Sequence, residues 1–142
     1  DPMLRSVIVL AGANNQASNK GLGGYLTARD ASRLRLKGTK VVTLSACESG
    51  KGEIASGEGV YGMRRALAVA GASSSLLSLW KVDDQGTKAV MEAFYKHLKS
   101  GKTAEQALHE AQAEMRGSEH AELRHPYVWA AFQLYGQSWQ DK

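Results

Sequence analysis

The sequence predicts an α/β fold with a mainly parallel sheet and helices on both of its faces. Two observations carry this. Short apolar runs of strand length alternate with stretches whose apolar residues recur at steps of three and four. Glycines stand at most of the junctions between them. A third observation sets the size. The 142 residues contain no internal repeat, linker or low-complexity segment, so they make one domain or most of one.

The elements follow in order. Ser6-Val7-Ile8-Val9-Leu10-Ala11-Gly12 is apolar and β-branched, and predicts a buried strand. Residues 12–25 are rich in Gly and Asn and read as a loop. Thr27 can cap a short helix over 28–36, with Asp30 favouring its N-terminus. Gly38 breaks that helix before a strand over Val41–Ala46. Residues 50–59, with four glycines, read as a flexible surface loop or an activation loop. Val60, Met63, Leu67 and Ala70 then mark a helix that Gly71 ends. Ser74–Trp80 is the next strand. Asp83-Asp84-Gln85-Gly86 turns into a helix with Val90, Phe94 and Leu98 on one face, closed by Gly101. Thr103 and Gln106 form a capping box for a helix carrying Ala107, Leu108, Ala111 and Met115. Residues 117–126 are a polar loop, and Tyr127–Tyr135 is the final strand.

Composition excludes several classes. The chain is 43% hydrophobic and 23% charged, the balance of a soluble globular domain. No apolar run approaches the length of a membrane span, and no signal peptide is read. Residues 1–71 carry ten Lys/Arg against five Asp/Glu, and residues 72–142 eight against nine. The excess centres on Arg29, Arg33, Arg35, Lys37 and Lys40. No aromatic residue interleaves with it, so it reads as a solvated helix face and loop rather than a nucleic-acid surface. One cysteine excludes an internal disulfide, and His97, His109, His120 and His125 lack metal-ligand spacing. No metal, no cofactor and a reducing cytoplasmic setting are expected.

Nucleotide and serine chemistry also fail. A P-loop needs a glycine where Ser45 stands and a hydroxyl where Gly52 stands. A dinucleotide fingerprint needs G-x-G-x-x-G directly after a strand, and neither glycine loop provides it. The nucleophile elbow G-x-S-x-G is absent. Cysteine chemistry remains. Cys47 follows the strand Val41–Ala46 and precedes the glycine loop, where open α/β sheets place their sites. Its thiol would act as a nucleophile if a base or positive field favoured the thiolate, and its N–H could serve an oxyanion. The competing reading is a small buried hydrophobe.

Five separated strings agree in order with one family. Val41-Val42-Thr43-Leu44-Ser45-Ala46-Cys47-Glu48-Ser49-Gly50 resembles the nucleophile segment of CHAT domains, caspase-like domains often found beside tetratricopeptide repeats. Gly57–Ala66 resembles the helix after it, and Ala70-Gly71-Ala72 with Ser78–Asp84 the next strand and its exit. Phe94-Tyr95, Ala107-Leu108 and His125-Pro126-Tyr127-Val128-Trp129-Ala130-Ala131-Phe132 complete the match over essentially the whole chain. The resemblance implies a caspase-like three-layer fold and a His–Cys dyad that hydrolyses peptide bonds, with Cys47 as nucleophile. The family's histidine lies in an earlier His-Gly pair, before the segment that Asp1–Ser6 resembles, and none of the four histidines here matches it. The expectation is a single partial domain over 1–142, without its N-terminal strands and the segment bearing the catalytic His.

Related separases carry an acidic loop after a similar Leu-Trp strand end, lining the substrate pocket. The resemblance thus points to Asp83, Asp84 and Trp80 as substrate-binding residues. A carboxylate there would favour Arg or Lys. Asp84 reads equally as the cap of the following helix, and Trp80 as core. Two functions compete. One is a cysteine endopeptidase fragment, acting on a peptide or protein substrate with a base from the upstream part of the same protein. The other is a non-catalytic pseudo-peptidase that binds through its cleft or through an exposed sheet edge, which favours association with another copy. The family's usual company makes a tetratricopeptide-repeat region a further expected partner.

Overall fold

The computed structural model describes Met3, residues 6–10, Ala13, residues 24–45 and residues 58–136. They fall into two compact units, one of Asp1–Thr39 with Glu48–Ala72 and one of Lys40–Cys47 with Ser73–Lys142. The loops expected over 12–25 and 50–59 lie largely outside the described residues.

In the first unit, β1 (Val7–Val9) pairs antiparallel with β2 (Tyr25–Thr27), Ile8 facing Leu26. The first expected strand is present but not buried, since Val9 and Leu10 are exposed. β2 was not expected, because three residues carry too little periodicity to be read. Helix α1 (Ala28–Ala31) follows at once. Thr27 Oγ1 accepts from Asp30 N at 3.1 Å, and the Asp30 carboxylate accepts from Thr27 N at 3.3 Å, a complete capping box. The Thr27 side chain holds the Asp30 carboxyl below its ordinary value, helped by Thr27 N, Arg33 and Arg29.

The helix expected over 28–36 stops five residues early, at Ala31. Ser32 closes it, its Oγ donating to Arg29 O at 2.7 Å. The run Leu34-Arg35-Leu36-Lys37 alternates with period two and offers a helix no apolar stripe. Leu36 N donates instead to Ala70 O, at the end of α2 (Glu58–Ala70). Helix α2 buries Met63, Ala66, Leu67 and Ala70, close to the predicted stripe. It ends in a Schellman turn, with Gly71 N donating to Ala68 O and Ala72 N to Leu67 O. Gly71 has φ +104, and a Cβ there would stand 2.9 Å from Lys37 N. Both facts demand glycine.

The second unit holds a three-stranded sheet in the order β3 (Val41–Leu44), β4 (Ser74–Ser78), β5 (Phe132–Gly136). β3 and β4 are parallel, with Leu44 opposite Leu77, and β5 runs antiparallel to β4. The α/β class therefore holds, but the sheet is mixed. Among the described residues one strand pairing is parallel and two are antiparallel. The physical reason is the last connection. A parallel return needs a single crossover, whereas the chain leaves β4 through two long antiparallel helices that bring it back to the edge where β4 ends. The last stretch before β5 is two single turns of helix, α5 (Ala121–Arg124) and α6 (Pro126–Trp129).

Helices α3 (Asp84–Lys99) and α4 (Ala104–Arg116) form a hairpin on the Leu76 face of this sheet. Their stripes Val90, Ala93, Phe94 and Ala107, Leu108, Ala111, Met115 meet Leu76, Val82, Val128 and Phe132 in one core. Phe94 and Phe132 are its largest fully buried side chains. Thr103 and Gln106 form the expected capping box. Gly86 lets α3 approach closely, since a Cβ would stand 2.9 Å from both Val128 Cγ1 and Val82 Cγ1. On the surface, Glu114 of α4 takes Lys96 Nζ at 3.0 Å and His97 Nε2 at 2.6 Å from α3.

The strand expected over Tyr127–Tyr135 begins only at Phe132. Pro126 at the first helical position presets φ, and His125 Nδ1 accepts from Tyr127 N at 3.1 Å to cap the turn. Gln112 Nε2 then holds Trp129 O and Phe132 O at 3.1 and 3.2 Å. The aromatic run looked like a strand because its tertiary hydrogen bonds are invisible in the sequence. Among the described residues no helix is long and apolar enough to cross a membrane.

Candidate active site

Parallel pairing brings the carboxyl ends of β3 and β4 to one edge of the sheet. The chain leaves β3 through Ser45 toward Cys47, and leaves β4 through Leu79-Trp80-Lys81-Val82 toward α3. Because β5 is antiparallel, it starts at that same edge. Phe132 lies opposite Ser78, and Leu79 N donates to Ala131 O at 2.8 Å. Three separate stretches thus converge at the edge where open α/β sheets carry their sites. Cys47 itself, with Glu48 and Ser49, lies outside the described residues.

Trp80 and Tyr127 meet there. Trp80 Nε1 donates to Tyr127 O at 2.7 Å, and their ring centroids stand 5.8 Å apart, tilted by 34°. Trp80 is half-buried and packs on the core, while 53% of Tyr127 is exposed. The indole is therefore fixed by its N–H and by packing, and still presents part of its surface at the edge. Both roles weighed for Trp80 are open to it.

The two aspartates separate. Asp83, not Asp84, is the N-cap of α3, its Oδ1 accepting from Gly86 N at 2.6 Å. The expectation that Asp84 caps a helix starting near Gln85 is corrected by one residue. Asp84 opens the first turn, where the helix dipole favours a negative charge. It is exposed and makes no side-chain hydrogen bond or ion pair among the described residues. So Asp83 is committed to the helix, and the Asp84 carboxylate stays exposed at its first turn.

The histidines are accounted for. His97 binds Glu114, His109 is exposed on α4, and His120 is exposed before α5 without a side-chain cap bond. His125 stands near the edge but caps α6 through Nδ1. Its Nδ1 is thus taken up by the cap. The structural reading of His125 agrees with this geometry. Among the described residues no group of three His, Cys, Asp or Glu could hold a metal ion. Gly57-Glu58-Gly59-Val60-Tyr61-Gly62 does have G-x-G-x-x-G spacing, but Gly59 and Gly62 lie inside α2 rather than in a loop at a helix start.

Residues 1–137 match the sequence profile of the CHAT domain. The chain belongs to the CHAT domain family. It is also 36% identical over 111 residues to human tetratricopeptide repeat protein 28, a match covering 78% of this chain and 4% of that protein. The chain thus corresponds to a small part of that relative's length.

Within the CHAT domain, three of the strings that resemble the family now share one place. The strand leading to Cys47, the β4 exit Ser78–Asp84 and the segment His125–Phe132 all reach the carboxyl edge of β3 and β4. The Trp80–Tyr127 contact links two of them. Sequence reasoning missed this contact. Its signal was the paired aromatics in two family strings, which gave no hint that they touch.

Proposed function

We propose that this CHAT domain is part of a cysteine endopeptidase of caspase-like, three-layer architecture, with Cys47 as nucleophile. The observation that supports the reading is the parallel register of β3 and β4, which puts the end of β3, three residues before Cys47 in the sequence, beside the end of β4, from which Trp80, Asp83 and Asp84 follow. The Cys47 sulfur, as thiolate, attacks the scissile carbonyl carbon to form a thioester. The amine leaves with a proton from a histidine outside these 142 residues, and water then releases the acid. Nucleophile, base and oxyanion donors are all protein groups, so the chemistry needs no cofactor. The Asp84 carboxylate favours a basic side chain beside the scissile bond, with the exposed part of Trp80 as an apolar wall and Asp83 holding the helix that aims them.

Both units belong, in this reading, to a single partial domain completed by an upstream segment. A tetratricopeptide-repeat region is the natural neighbour, given the relative's name. The lone thiol suits a reducing cytoplasm. The test is peptide hydrolysis by the parent protein. Cys47→Ala should abolish turnover of a basic-residue substrate, and undiminished turnover would sink the assignment.

A second reading is a non-catalytic module that associates through a sheet edge. It is favoured by β3 and β5 each pairing on one side only among the described residues. Light scattering on this chain distinguishes it, since a strict monomer speaks against self-association through an open strand.

A further inference from the structure

We propose that the groove between β5 and α4 docks an extended peptide that carries a basic side chain. The inference is independent of the peptidase reading. Among the described residues β5 pairs only with β4, and no described residue pairs with its second edge. The register decides which groups face outward. Leu79 N donates to Ala131 O at 2.8 Å, making that pair a hydrogen-bonded one. Such pairs alternate in an antiparallel ladder. Phe132 and Leu134, opposite Ser78 and Leu76, therefore direct their N–H and C=O groups away from β4.

Gln112 already occupies the outward carbonyl of Phe132, at 3.2 Å. Among the described residues Leu134, at mid-strand, has no partner for either outward group, which leaves both for an incoming backbone. That is the two-point anchor that strand addition uses. Beside it lies an open groove of about 420 Å³, walled by Glu105, Leu108 and His109 of α4 and by Trp129 and Leu134. A residue paired with Leu134 places its side chain on the same face of the sheet, against Leu108. An aliphatic side chain fits that position.

Charge selects the occupant. The ion pairs of α4 use Glu110 with Lys102 and Glu114 with Lys96, and Glu105 takes part in none among the described residues. Its exposed carboxylate on the groove wall matches a Lys or Arg two positions along the incoming strand, the next side chain on that face. A second copy of the chain is a poorer fit, because its own edge, Phe132-Gln133-Leu134-Tyr135-Gly136, brings no base to Glu105. The occupant is thus a partner segment with an aliphatic residue and a basic one in alternate positions.

Fluorescence anisotropy tests this on the 142-residue chain. One labelled ten-residue peptide alternates Thr and Val around a central Leu, with Lys two positions later, and a second replaces that Lys by Glu. The Lys peptide should bind saturably and the Glu peptide about fivefold more weakly, the scale of an exposed ion pair gained or lost. Glu105→Lys should reverse that order while circular dichroism stays unchanged, and the Leu134 amide should shift in nuclear magnetic resonance spectra on binding. No binding of either peptide, or affinities that ignore Glu105→Lys, would overturn the proposal. So would a dimer of the free chain that Leu134→Lys dissolves, which assigns the edge to a second copy.

Discussion

The two units differ in how they are held together. The second is built around large side chains. Phe94 and Phe132 are fully buried, β4 is buried at every position, and two amphipathic helices meet over the sheet. The first is built around small ones. Among its described residues the buried positions include Ala28, Ala31, Ala66 and Ala70, with Met63 and Leu67 as the larger aliphatics, while Tyr61 and Val69 of α2 stay 67% and 65% exposed. Alanine contacts let α1 and α2 approach closely but remove little apolar surface from water. A two-stranded ribbon such as β1–β2 adds little by itself. The contrast teaches that the candidate catalytic edge is carried by the well-packed unit.

The largest test of this contrast is Phe94→Ala. It should cost about 3–5 kcal/mol in urea unfolding, since it opens a cavity among Val90, Leu108 and Phe132. A loss below about 1 kcal/mol would break the claim that this core carries the second unit. In the first unit the sensitive direction is the opposite one. Ala66→Leu adds volume where none of the residue's surface is exposed and should cost about 1–3 kcal/mol by overpacking. If it is neutral, the alanine contact is looser than described.

Asp83→Ala removes the α3 cap and should cost about 1 kcal/mol, with Asp83→Asn restoring most of it. Equal losses for both variants would show that the carboxylate does more than cap the helix.

The smallest effect is electrostatic. Lys96, and after it His97, holds the Glu114 carboxyl below its ordinary value of 4.5 by hydrogen bonding, against the cost of partial burial. A depressed folded-state value means that the stabilisation is present above pH 4.5 and is lost as pH falls through the folded value. Glu114→Gln should therefore flatten the acid side of the stability profile below pH 4.5, a small effect for a group this exposed. An unchanged acid slope would show that the surface link between α3 and α4 is idle.

What could be read in the sequence was what is local. Thr27 with Asp30, Thr103 with Gln106 and Gly71 each act within one turn, so their residue types alone placed the helix ends. The stripes of α3 and α4 were legible because both helices run well beyond three turns. Illegible were the features set by partners distant in the chain. Tyr127–Tyr135 has strand-like composition, yet Pro126, His125 and Gln112 make its first half a helical turn. The direction of β5 depends on how that connection folds. Of the candidate site, the strand ends at Leu44 and Ser78 were expected nearly where they lie. The division between Asp83 and Asp84, the Trp80–Tyr127 contact and the open edge of β5 all needed coordinates.

The central claim is the proposal that Cys47, which follows β3 in the sequence, is a nucleophile. Its most direct test is mass spectrometry of the parent protein treated with a peptide ending in Arg and a thiol-reactive acyloxymethyl ketone. The account predicts one adduct, on the fragment containing Cys47, formed more slowly when Asp84 is changed to Lys and absent from the Cys47→Ser variant. Labelling no faster than that of a free thiol in the denatured protein would contradict it.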